Sequence, residues 1–440
     1  MNINNVNNVK ESTKSMKTIK LSVTSRLSAI IVIAILFLSV CVPQQPPVPP
    51  PDDLAAVDSS SSPAKYVFLF IGDGMGLSHV AAAEVFLAAS SDRIGNTELS
   101  FTRFAAQGFV STYSANSYIT CSAAAGTALS TGYKTNNGMI CMGPHGQKYK
   151  SVTYTLKDAG YRIGIATSVS IDHATPAVFY AVEESRGNYY AIARQLAPSG
   201  FDFFAGSGFL QPSGSGGGEE SVFAQIERYG YAVARTPAEL KNVPASQKIV
   251  ILQEESRSQN ALAPAAGRTD GDGWKLVDFT RAGIDRLDGP GGFFFMVEGG
   301  RIDWAAHDND AAGVVYEVLD FADAVEIAVE FYRKRPDETL IVVTADHATG
   351  GLALGVGGLP YELKPDLLNA RNDSGSKAMT EAEIAKLNAE AGFGWTTDAH
   401  TGEPVPVYAL GVGGGRFVGR MDNTDIPKRI LGAMGVRGQF

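Results

Sequence analysis

The chain has 440 residues and a formal net charge of −9, and 45% of its residues are hydrophobic and 19% charged. This composition is ordinary for a folded globular protein. The acidic balance argues against a nucleic-acid-binding module, because no basic stripe is available to neutralise phosphates. It does not exclude a small phosphorylated substrate, which cations and one or two basic side chains can hold.

The first 42 residues predict a segment that directs export. Five basic residues precede an apolar run over residues 27–42, which is the order of the n-region and h-region of a signal peptide. The run is shorter than the roughly 20 apolar residues that span a bilayer, so a signal segment is favoured over a permanent anchor. Cys41 ends a stretch similar to a lipobox, although Val40 stands where that motif has a small residue. We therefore expect a signal peptide or a lipoprotein-like anchor, and a protein that is periplasmic, extracellular or tethered to the outer face of a membrane.

Residues 43–64 predict a linker rich in Pro and Ser, and residues 65–440 predict one folded domain in which apolar strands alternate with helices. The predicted strands cover residues 66–71, 162–167, 248–252, 293–297 and 339–344. The predicted helices cover residues 78–89, 188–196, 221–229 and 311–334. Strands that are apolar along their whole length are typical of a parallel sheet covered on both faces. The pattern predicts an α/β fold with a doubly wound, mostly parallel central sheet and helices on both faces.

Two polar segments interrupt this alternation. Residues 206–220 are rich in Gly and Ser and predict a loop. Residues 355–400 predict an insertion of loop and helix over the edge of the sheet where a ligand would bind. Within the insertion, residues 379–391 predict a short exposed helix with Thr380 as its N-cap and Glu383 completing a capping box.

Carboxylates and imidazoles follow three of the predicted strands. They are Asp73 after the first strand, Glu298, Asp303 and His307 after the fourth, and Asp346 and His347 after the fifth. Ligands of an open α/β sheet bind beyond the carboxyl ends of its strands, so these side chains are expected to meet. Each motif alone has a simpler explanation, such as a dinucleotide-binding turn at residues 72–76, a helix cap or a buried salt bridge. Together they predict a metal centre, because so many anions in one place are tolerable only around cations.

The residue types indicate which ions such a centre would hold. His307, His347 and His400 suit zinc, which takes imidazole and carboxylate ligands. Glu298 with a hydroxyl and waters suits magnesium, which prefers oxygen. Mixed ligands imply more than one ion, and two metals about 4 Å apart can hold the attacking and leaving oxygens of an in-line displacement.

Ser122 is the candidate nucleophile, since it precedes a run of small residues that favours a helix. A serine at a helix N-terminus faces free backbone N–H groups, which favour a bound phosphoryl oxygen. No paired histidine base is evident, so activation would come from metal coordination, which lowers the pKa of a bound hydroxyl. Plain helix capping by Ser122 is the alternative, and Cys121 is a weaker rival nucleophile.

In combination, these residues resemble the alkaline phosphatase family. The resembling stretches are residues 71–76, 121–124, 173–176, 185–186, 298–303 with His307, 344–347 and 400–402. They occur in the family's order, and such a series is far more specific than any single motif. The resemblance implies a phosphomonoesterase that releases inorganic phosphate and an alcohol through a phosphoserine intermediate.

The resemblance also implies a role for each candidate residue, with two Zn²⁺ and one Mg²⁺ per chain and Zn²⁺ as an alternative at the third site. The implied ligands are Asp303, His307 and His400 for the first zinc, Asp73, Asp346 and His347 for the second, and Asp73, Thr175 and Glu298 for the magnesium. Ser122 is the implied nucleophile. Arg186 is the implied arginine that holds two phosphate oxygens, a task that suits a planar bidentate guanidinium.

Some positions depart from the best-known bacterial pattern of this family. Cys121 stands where an Asp often orients the arginine, and His173 stands where an Asp occurs, as in animal-like members. Trp304 and Thr349 replace polar groups that tune phosphate affinity and zinc orientation from behind the ligands. His173, Trp304 and Thr349 are therefore interpreted as residues around the metals, with His173 as a further candidate ligand. Cys121 and Cys141 either pair outside the cell or stay free thiols.

The resemblance leaves two other functions to be tested. A phosphodiesterase or another hydrolase of the same superfamily would share the metal ligands but differ at the nucleophile and the anion grip. An inactive exported protein that binds metal or phosphate would lose Ser122 or Arg186, and neither is lost here. Small phosphomonoesters are the expected substrates, and the family resemblance implies a homodimer.

Overall fold

The computed structural model describes residues 62–253, 260–356, 361–373 and 379–438. The predicted targeting segment with Cys41, and residues 43–61 of the linker, lie outside these ranges. All described residues belong to one compact unit. No helix among them has both the length and the apolar character needed to cross a membrane.

Fourteen strands lie within the described residues. They are β1 (Tyr66–Gly72), β2 (Ala106–Ser111), β3 (Arg162–Thr167), β4 (Phe203–Gly206), β5 (Ala232–Ala234), β6 (Ile249–Leu252), β7 (Phe293–Gly299), β8 (Thr339–Ala345), β9 (Ala348–Thr349), β10 (Ala353–Leu354), β11 (Phe393–Gly394), β12 (His400–Thr401), β13 (Val405–Gly411) and β14 (Gly419–Asp422).

Fourteen α-helices lie within the same residues. They are α1 (Leu77–Ala89), α2 (Ser122–Thr131), α3 (Val152–Asp158), α4 (Ala174–Ala177), α5 (Tyr189–Ala193), α6 (Leu196–Ser199), α7 (Val222–Arg228), α8 (Pro237–Lys241), α9 (Leu276–Leu287), α10 (Arg301–His307), α11 (Ala311–Lys334), α12 (Asn369–Asp373), α13 (Glu381–Ala391) and α14 (Asp425–Ala433). Short 3-10 helices cover Pro365–Leu368 and Gly414–Phe417.

Ten of the described strands form one central sheet in the order β14-β2-β13-β8-β1-β7-β3-β4-β6-β5. β13 runs antiparallel to both of its neighbours, β8 and β2, and the other pairings in this sheet are parallel. Every residue of β1, β7 and β8 is buried, because helices cover the sheet and leave no polar face. The expected α/β fold with a mostly parallel sheet is confirmed.

The five predicted strands are present, but several strands were not predicted. β2 alternates between buried and exposed residues, and β13 contains Pro406 near its start, which weakens the local strand signal. The predicted helix over residues 188–196 is divided into α5 and α6. Pro198 has no N–H to donate to the carbonyl of Arg194, so a continuous helix would lose that hydrogen bond.

The predicted helix of the insertion is present as α13, and its capping box is confirmed. Thr380 accepts a hydrogen bond from Glu383 N over 3.3 Å, and Glu383 accepts from Thr380 N over 2.8 Å. Apolar side chains of this segment, including Leu387 and Phe393, form a cluster with residues of α1 and α11. The insertion therefore packs beside these helices, and the chain then leads from Trp395 to β12.

Candidate active site and metal centre

Acidic and imidazole side chains lie at the carboxyl ends of β8, β1 and β7, which are neighbours in the sheet. Asp73 directly follows β1, Glu298 is near the end of β7, and Asp346 and His347 directly follow β8. All of them are 0% exposed, because these strands are covered on both faces. We call Asp73, Glu298, Asp346 and His347 the inner group.

A second group, which we call the outer group, consists of Asp303, His307 and His400. Asp303 and His307 lie one turn apart on α10, with His307 Nε2 3.4 Å from Asp303 Oδ2. β13 is antiparallel to β8, so the residues before it return to the same edge, and His400 Nε2 is 3.7 Å from Asp303 Oδ1. The side chains of His307 and His400 are 38% and 14% exposed. The outer group is therefore nearer to solvent than the inner group.

Backbone carbonyls orient both imidazoles of the outer group. His307 Nδ1 pairs with Asp398 O, and His400 Nδ1 pairs with Thr120 O over 2.9 Å. In the neutral imidazole, an Nδ1–H that donates to a carbonyl leaves the lone pair on Nε2, the nitrogen that faces Asp303 in both residues. This is the arrangement usual for a histidine that binds a metal.

Ligand atoms of the described residues converge in three overlapping groups, within each of which they lie within 4.8 Å of one another. The groups are Asp303, His307 and His400; Asp73, Asp303 and His347; and Asp73, His173 and Glu298. The first group has the same members as the ligand set expected for the first zinc. The other two groups share two members each with the expected second and third sets.

The second and third groups differ from the expected sets in one member each. Asp303 stands in the second group where Asp346 was expected, yet Asp346 Oδ2 is 3.3 Å from His347 Nε2. His173 stands in the third group where Thr175 was expected. The Thr175 hydroxyl still donates to a carboxylate oxygen of that group over 3.4 Å. Both Asp346 and Thr175 therefore border the site.

The inner group is unfavourable as a set of free anions. Burial first, and then the neighbouring carboxylates, raise the pKa of Asp73 well above its usual value. Burial also raises the pKa of Glu298 to about 8 and that of Asp346 to about 6. Each of these three side chains has one buried oxygen without a hydrogen-bond partner among the described residues. Such oxygens are costly unless a cation binds them, so the donor set fits divalent cations.

Ser122 and Arg186 lie beside the inner group. Ser122 is the first residue of α2 and is 1% exposed. Its Oγ is 3.2 Å from His347 Nε2 and accepts a hydrogen bond from Arg186 Nη1 over 3.4 Å. Arg186 Nη2 donates to His173 Nε2 over 3.1 Å. A hydroxyl, a guanidinium and the free N–H groups of a helix end meet here, which suits a phosphoryl group.

Comparisons with known proteins identify the family of the chain. A sequence model of the alkaline phosphatase family matches residues 64–201 and 258–436. Alkaline phosphatase 4 of Bacillus subtilis is 33% identical over 408 residues, which cover 82% of this chain and 86% of the relative. The chain belongs to the alkaline phosphatase family.

Solved alkaline phosphatases have the same fold. The cold-active enzyme of a Shewanella species superposes with a TM-score of 0.73 at 29% identity, over 84% of this chain and 99% of that one. A histidine-to-glutamate variant of the TAB5 alkaline phosphatase, solved with Mg bound, superposes with a TM-score of 0.69 at 28% identity, over 86% and 99% of the two chains. As a member of this family, the protein is a metal-dependent hydrolase acting on phosphate monoesters.

Residues 202–257 lie between the two matched segments and are not covered by the family model. These residues contain β4, β5 and β6, the strands at one edge of the central sheet. The strands that carry the site, β1, β7 and β8, all lie within the match. The part of the sheet that builds the candidate site is therefore covered by the family match.

Thr349 and Trp304 contact side chains of the ligand groups. Thr349 Oγ1 donates to Asp303 Oδ1 over 2.6 Å and is 3.3 Å from His347 Nδ1. This hydroxyl therefore connects the outer group with the inner group. The ring of Trp304 meets that of His173 edge-on, with 6.2 Å between ring centroids.

Cys121, which precedes Ser122, and Cys141 do not form a disulfide. Cys121 and Cys141 are both free thiols. Cys121 Sγ accepts a hydrogen bond from Gly138 N over 3.0 Å. Burial raises the pKa of Cys141 to about 12, so this thiol is unreactive, and no thiolate competes with Ser122 from that position.

Thr167 and His79 belong to the surroundings of the site but were not predicted from the sequence. Thr167, the last residue of β3, donates to Glu298 Oε2, and its place at the end of a predicted strand was a usable signal. His79 is fully buried in the first turn of α1, and its Nδ1 accepts from Gly76 N over 2.8 Å. The signal for His79 was a polar side chain at the third helical position after a glycine turn.

Proposed function

We propose that the protein hydrolyses phosphate monoesters through a phosphoserine at Ser122, with two Zn²⁺ and one Mg²⁺ held by the three ligand groups. One observation carries this proposal. Ser122 Oγ lies 3.2 Å from His347 Nε2 and 3.4 Å from Arg186 Nη1. A single hydroxyl is thus adjacent both to a candidate metal ligand and to a guanidinium that can hold phosphate.

The reaction then takes two displacements at phosphorus. In the first, Ser122 Oγ forms a bond to phosphorus while the bond to the ester oxygen breaks, and the alcohol leaves with a proton. In the second, water attacks the same phosphorus, inorganic phosphate leaves and the serine hydroxyl recovers its proton. Such transfers depend on positioning and charge neutralisation. Arg186 would supply the positioning, because its guanidinium can donate two N–H groups to the oxygens of a phosphoryl group.

The zinc ions would occupy the groups that contain imidazole. The outer group supplies one carboxylate and two imidazoles, a donor set that suits zinc. Asp73, Asp346 and His347 would hold the second zinc, and Asp303 is close enough to replace Asp346 as a ligand. When bound, the ions neutralise charge on the phosphoryl oxygens and lower the pKa of the serine hydroxyl.

The magnesium site would combine Asp73, Glu298 and the hydroxyl of Thr175, because magnesium prefers oxygen ligands. His173 lies within the same ligand group. An imidazole among these donors favours zinc over magnesium, so we propose Zn²⁺ as the alternative occupant of this site.

His173 also supports the assignment of Arg186 as the phosphate-binding arginine. Cys121 offers no carboxylate to orient the guanidinium, and instead His173 Nε2 accepts from Arg186 Nη2 over 3.1 Å. A neutral acceptor holds a guanidinium less firmly than a carboxylate does. Arg186 therefore acts as the phosphate-binding arginine, and His173 orients it less firmly than a carboxylate would.

We propose small phosphomonoesters of broad chemical type as substrates, without a nucleic-acid partner, in line with the net charge of −9. The basic and apolar pattern of residues 1–42 supports export, with Cys41 as the candidate point of a membrane tether. Detection of the mature protein in a periplasmic, secreted or membrane fraction checks this, and retention of the whole chain in the cytoplasm would contradict it.

We also propose a homodimer. A surface groove near the site is lined by Leu77, Phe109, Leu354 and Pro404, together with Glu403 and Arg420. Leu77 and Phe109 are 46% and 50% exposed, and exposed apolar surface of this kind is typical of contact sites. Its charges of opposite sign allow two copies to pair by a two-fold axis. Sedimentation velocity checks this, with a single monomer species as the contrary result.

The test of the proposed function is turnover of p-nitrophenyl phosphate at alkaline pH by the metal-loaded protein, the chelator-treated protein and the Ser122→Ala variant. We expect Ser122→Ala to lower kcat by about 10³-fold or more, since the nucleophile is lost. Ser130→Ala is the matched control, because Ser130 lies on the same helix and its hydroxyl donates to Thr127 O. Hydrolysis that survives both chelation and Ser122→Ala would contradict the mechanism.

Acid quenching during turnover should also leave a phosphoryl group on the peptide that contains Ser122, detected by mass spectrometry. High activity on bis(p-nitrophenyl) phosphate with little on the monoester would favour the diesterase instead. An unphosphorylated Ser122 with full monoesterase activity would exclude the phosphoserine.

A further inference from the structure

His79 is a buried histidine outside the three ligand groups found among the described residues. It is the third residue of α1 and is 0% exposed. Burial lowers the pKa of His79 to about 4, so its imidazole is neutral and offers one lone pair and one N–H. Nδ1 accepts from Gly76 N over 2.8 Å, which places the N–H on Nε2.

The bond from Gly76 to His79 closes the turn that carries Asp73. Gly76 N also lies 3.1 Å from Gly74 O, and the turn has little free space around it. A Cβ on Gly76 would be 2.8 Å from Glu403 Oε1 and 2.9 Å from Ala348 Cβ. The glycine has no side chain of its own to anchor it, so backbone hydrogen bonds, including the one to His79, hold the turn in place.

The same turn contacts ligands of two metal groups. Asp73 belongs to both the second and the third group, and its Oδ1 is 3.4 Å from His347 Nε2. Gly74 N donates to Asp346 Oδ1 over 3.2 Å, and Gly74 O accepts from Thr349 N over 3.1 Å. A displacement of the turn would therefore move Asp73 relative to the other ligands of both groups. It would also loosen the hydrogen bonds of Gly74 with Asp346 and Thr349.

The other side of the imidazole faces the end of the insertion. The rings of His79 and Trp395 are 6.0 Å apart between centroids, at an angle of 44°. His79 Nε2 and Trp395 Nε1 are both buried without a hydrogen-bond partner among the described residues. The ring is thus enclosed between the turn and the insertion, and its hydrogen bond to Gly76 N reaches toward the metal centre.

We propose that His79 is a positioning residue of the metal centre, which accepts the hydrogen bond of Gly76 N–H and so holds Asp73 where the second and third metal groups need it. The inference rests on the proposed metal-dependent function. The simpler role of an acceptor at this position is to cap α1. A cap alone would stabilise the helix and leave metal affinity unchanged, so the two roles are separable.

The test compares His79→Asn with His79→Leu in the full chain. The two replacements have nearly the same shape, and only Asn keeps an acceptor close to the place of Nδ1. We expect His79→Leu to lower zinc affinity about tenfold and to lower kcat at saturating zinc, because the loss of a partner behind a ligand typically costs about 10- to 100-fold. KM should change less than kcat, since phosphate is held by other residues.

Zinc affinity is measured by competition with a chromogenic chelator, and the melting temperature of each metal-free variant reports the capping role. His79→Asn should retain most of the zinc affinity of the wild type. Equal zinc affinity of the two variants, whether both are weak or both are normal, would overturn the inference. A wild type that neither binds zinc nor hydrolyses the monoester would instead overturn the proposed function itself.

Discussion

The inner and outer groups differ in how they balance charge. The inner group has three carboxylates and one imidazole, all 0% exposed, and burial raises the pKa values of its acids. In the outer group, the hydrogen bond to Asp303 raises the pKa of His307 to about 9. The pKa of Asp303 is lowered by the facing histidines, although burial alone would raise it. The outer group is thus charge-paired by itself, whereas the inner group depends on bound cations.

This difference separates two ways of placing metal ligands. Strand ends deliver the inner group to the deepest part of the sheet edge, where no water can compensate a charge. A helix and the residues before a reversed strand deliver the outer group nearer to the surface. We therefore expect the inner ions to be tightly held and the outer ion to exchange more readily with solvent and chelators.

The largest expected effect comes from Asp73→Asn, which removes a carboxylate common to two ligand groups. We expect kcat/KM for p-nitrophenyl phosphate to fall by about 10³-fold or more. The metal content per chain, measured by inductively coupled plasma mass spectrometry, should fall by two ions, because two groups contain Asp73. Loss of a single ion, with the others retained, would show that the groups do not share this residue.

A smaller effect is expected from His307→Ala, which opens the solvent-exposed side of the outer group. We expect about a 10²-fold loss of kcat/KM, partly restored by added zinc or imidazole, because the side chain is 38% exposed. The same additions should not restore Asp73→Asn. His145→Ala is the control, since His145 is exposed and lies outside the three groups. If added zinc or imidazole restored His307→Ala and Asp73→Asn equally, the distinction between the inner and outer groups would be wrong.

The smallest effect concerns stability of the metal-free protein. The pKa of Glu298 is raised from 4.5 to about 8, so the folded state holds a proton that the unfolded chain releases. The folded state therefore loses stability as the pH rises from 4.5 to about 8, and the melting temperature should fall over this range. The pKa of His307 is raised from 6.5 to about 9. This residue therefore stabilises the folded state fully below pH 6.5, and the contribution is lost as the pH rises to about 9.

Melting curves of chelator-treated protein across that pH range check this expectation. Glu298→Gln should flatten the lower part of the slope and His307→Ala the upper part, while the metal-loaded protein should show little slope. Stability that rises with pH over the range, or a slope that neither variant changes, would contradict the charge assignment of the two groups.

Much of the fold follows from local pattern. Uninterrupted apolar runs predicted β1, β3, β6, β7 and β8, and the helix over residues 311–334 agrees with α11 residue for residue. The capping box of Thr380 and Glu383 was also readable, because its members are three residues apart. Strands β2, β4, β5 and β9 to β14, and the division of the helix over residues 188–196, were not predicted, since their signals are short or depend on one proline.

The candidate ligands were predicted from the residues that follow strands, and their number and type already implied several cations. The sequence alone could not decide which ligand residues are shared between metal groups. Asp303 belongs to two groups because segments distant in the chain meet there. The partners His173 and Arg186 are only 13 residues apart, and His79 and Gly76 only three, but the place of these pairs beside the ligand groups depends on the tertiary structure.

The sequence by itself therefore determined which side chains are available and which strands present them, because hydrophobic periodicity and turn residues act over a few neighbouring positions. Tertiary structure decided which side chains meet. The antiparallel return of β13 brings His400 to the edge formed by the parallel strands, and the packing of α10 sets Asp303 between two groups of ligands. Both results depend on pairing between strands and helices far apart in the chain, which no local pattern specifies.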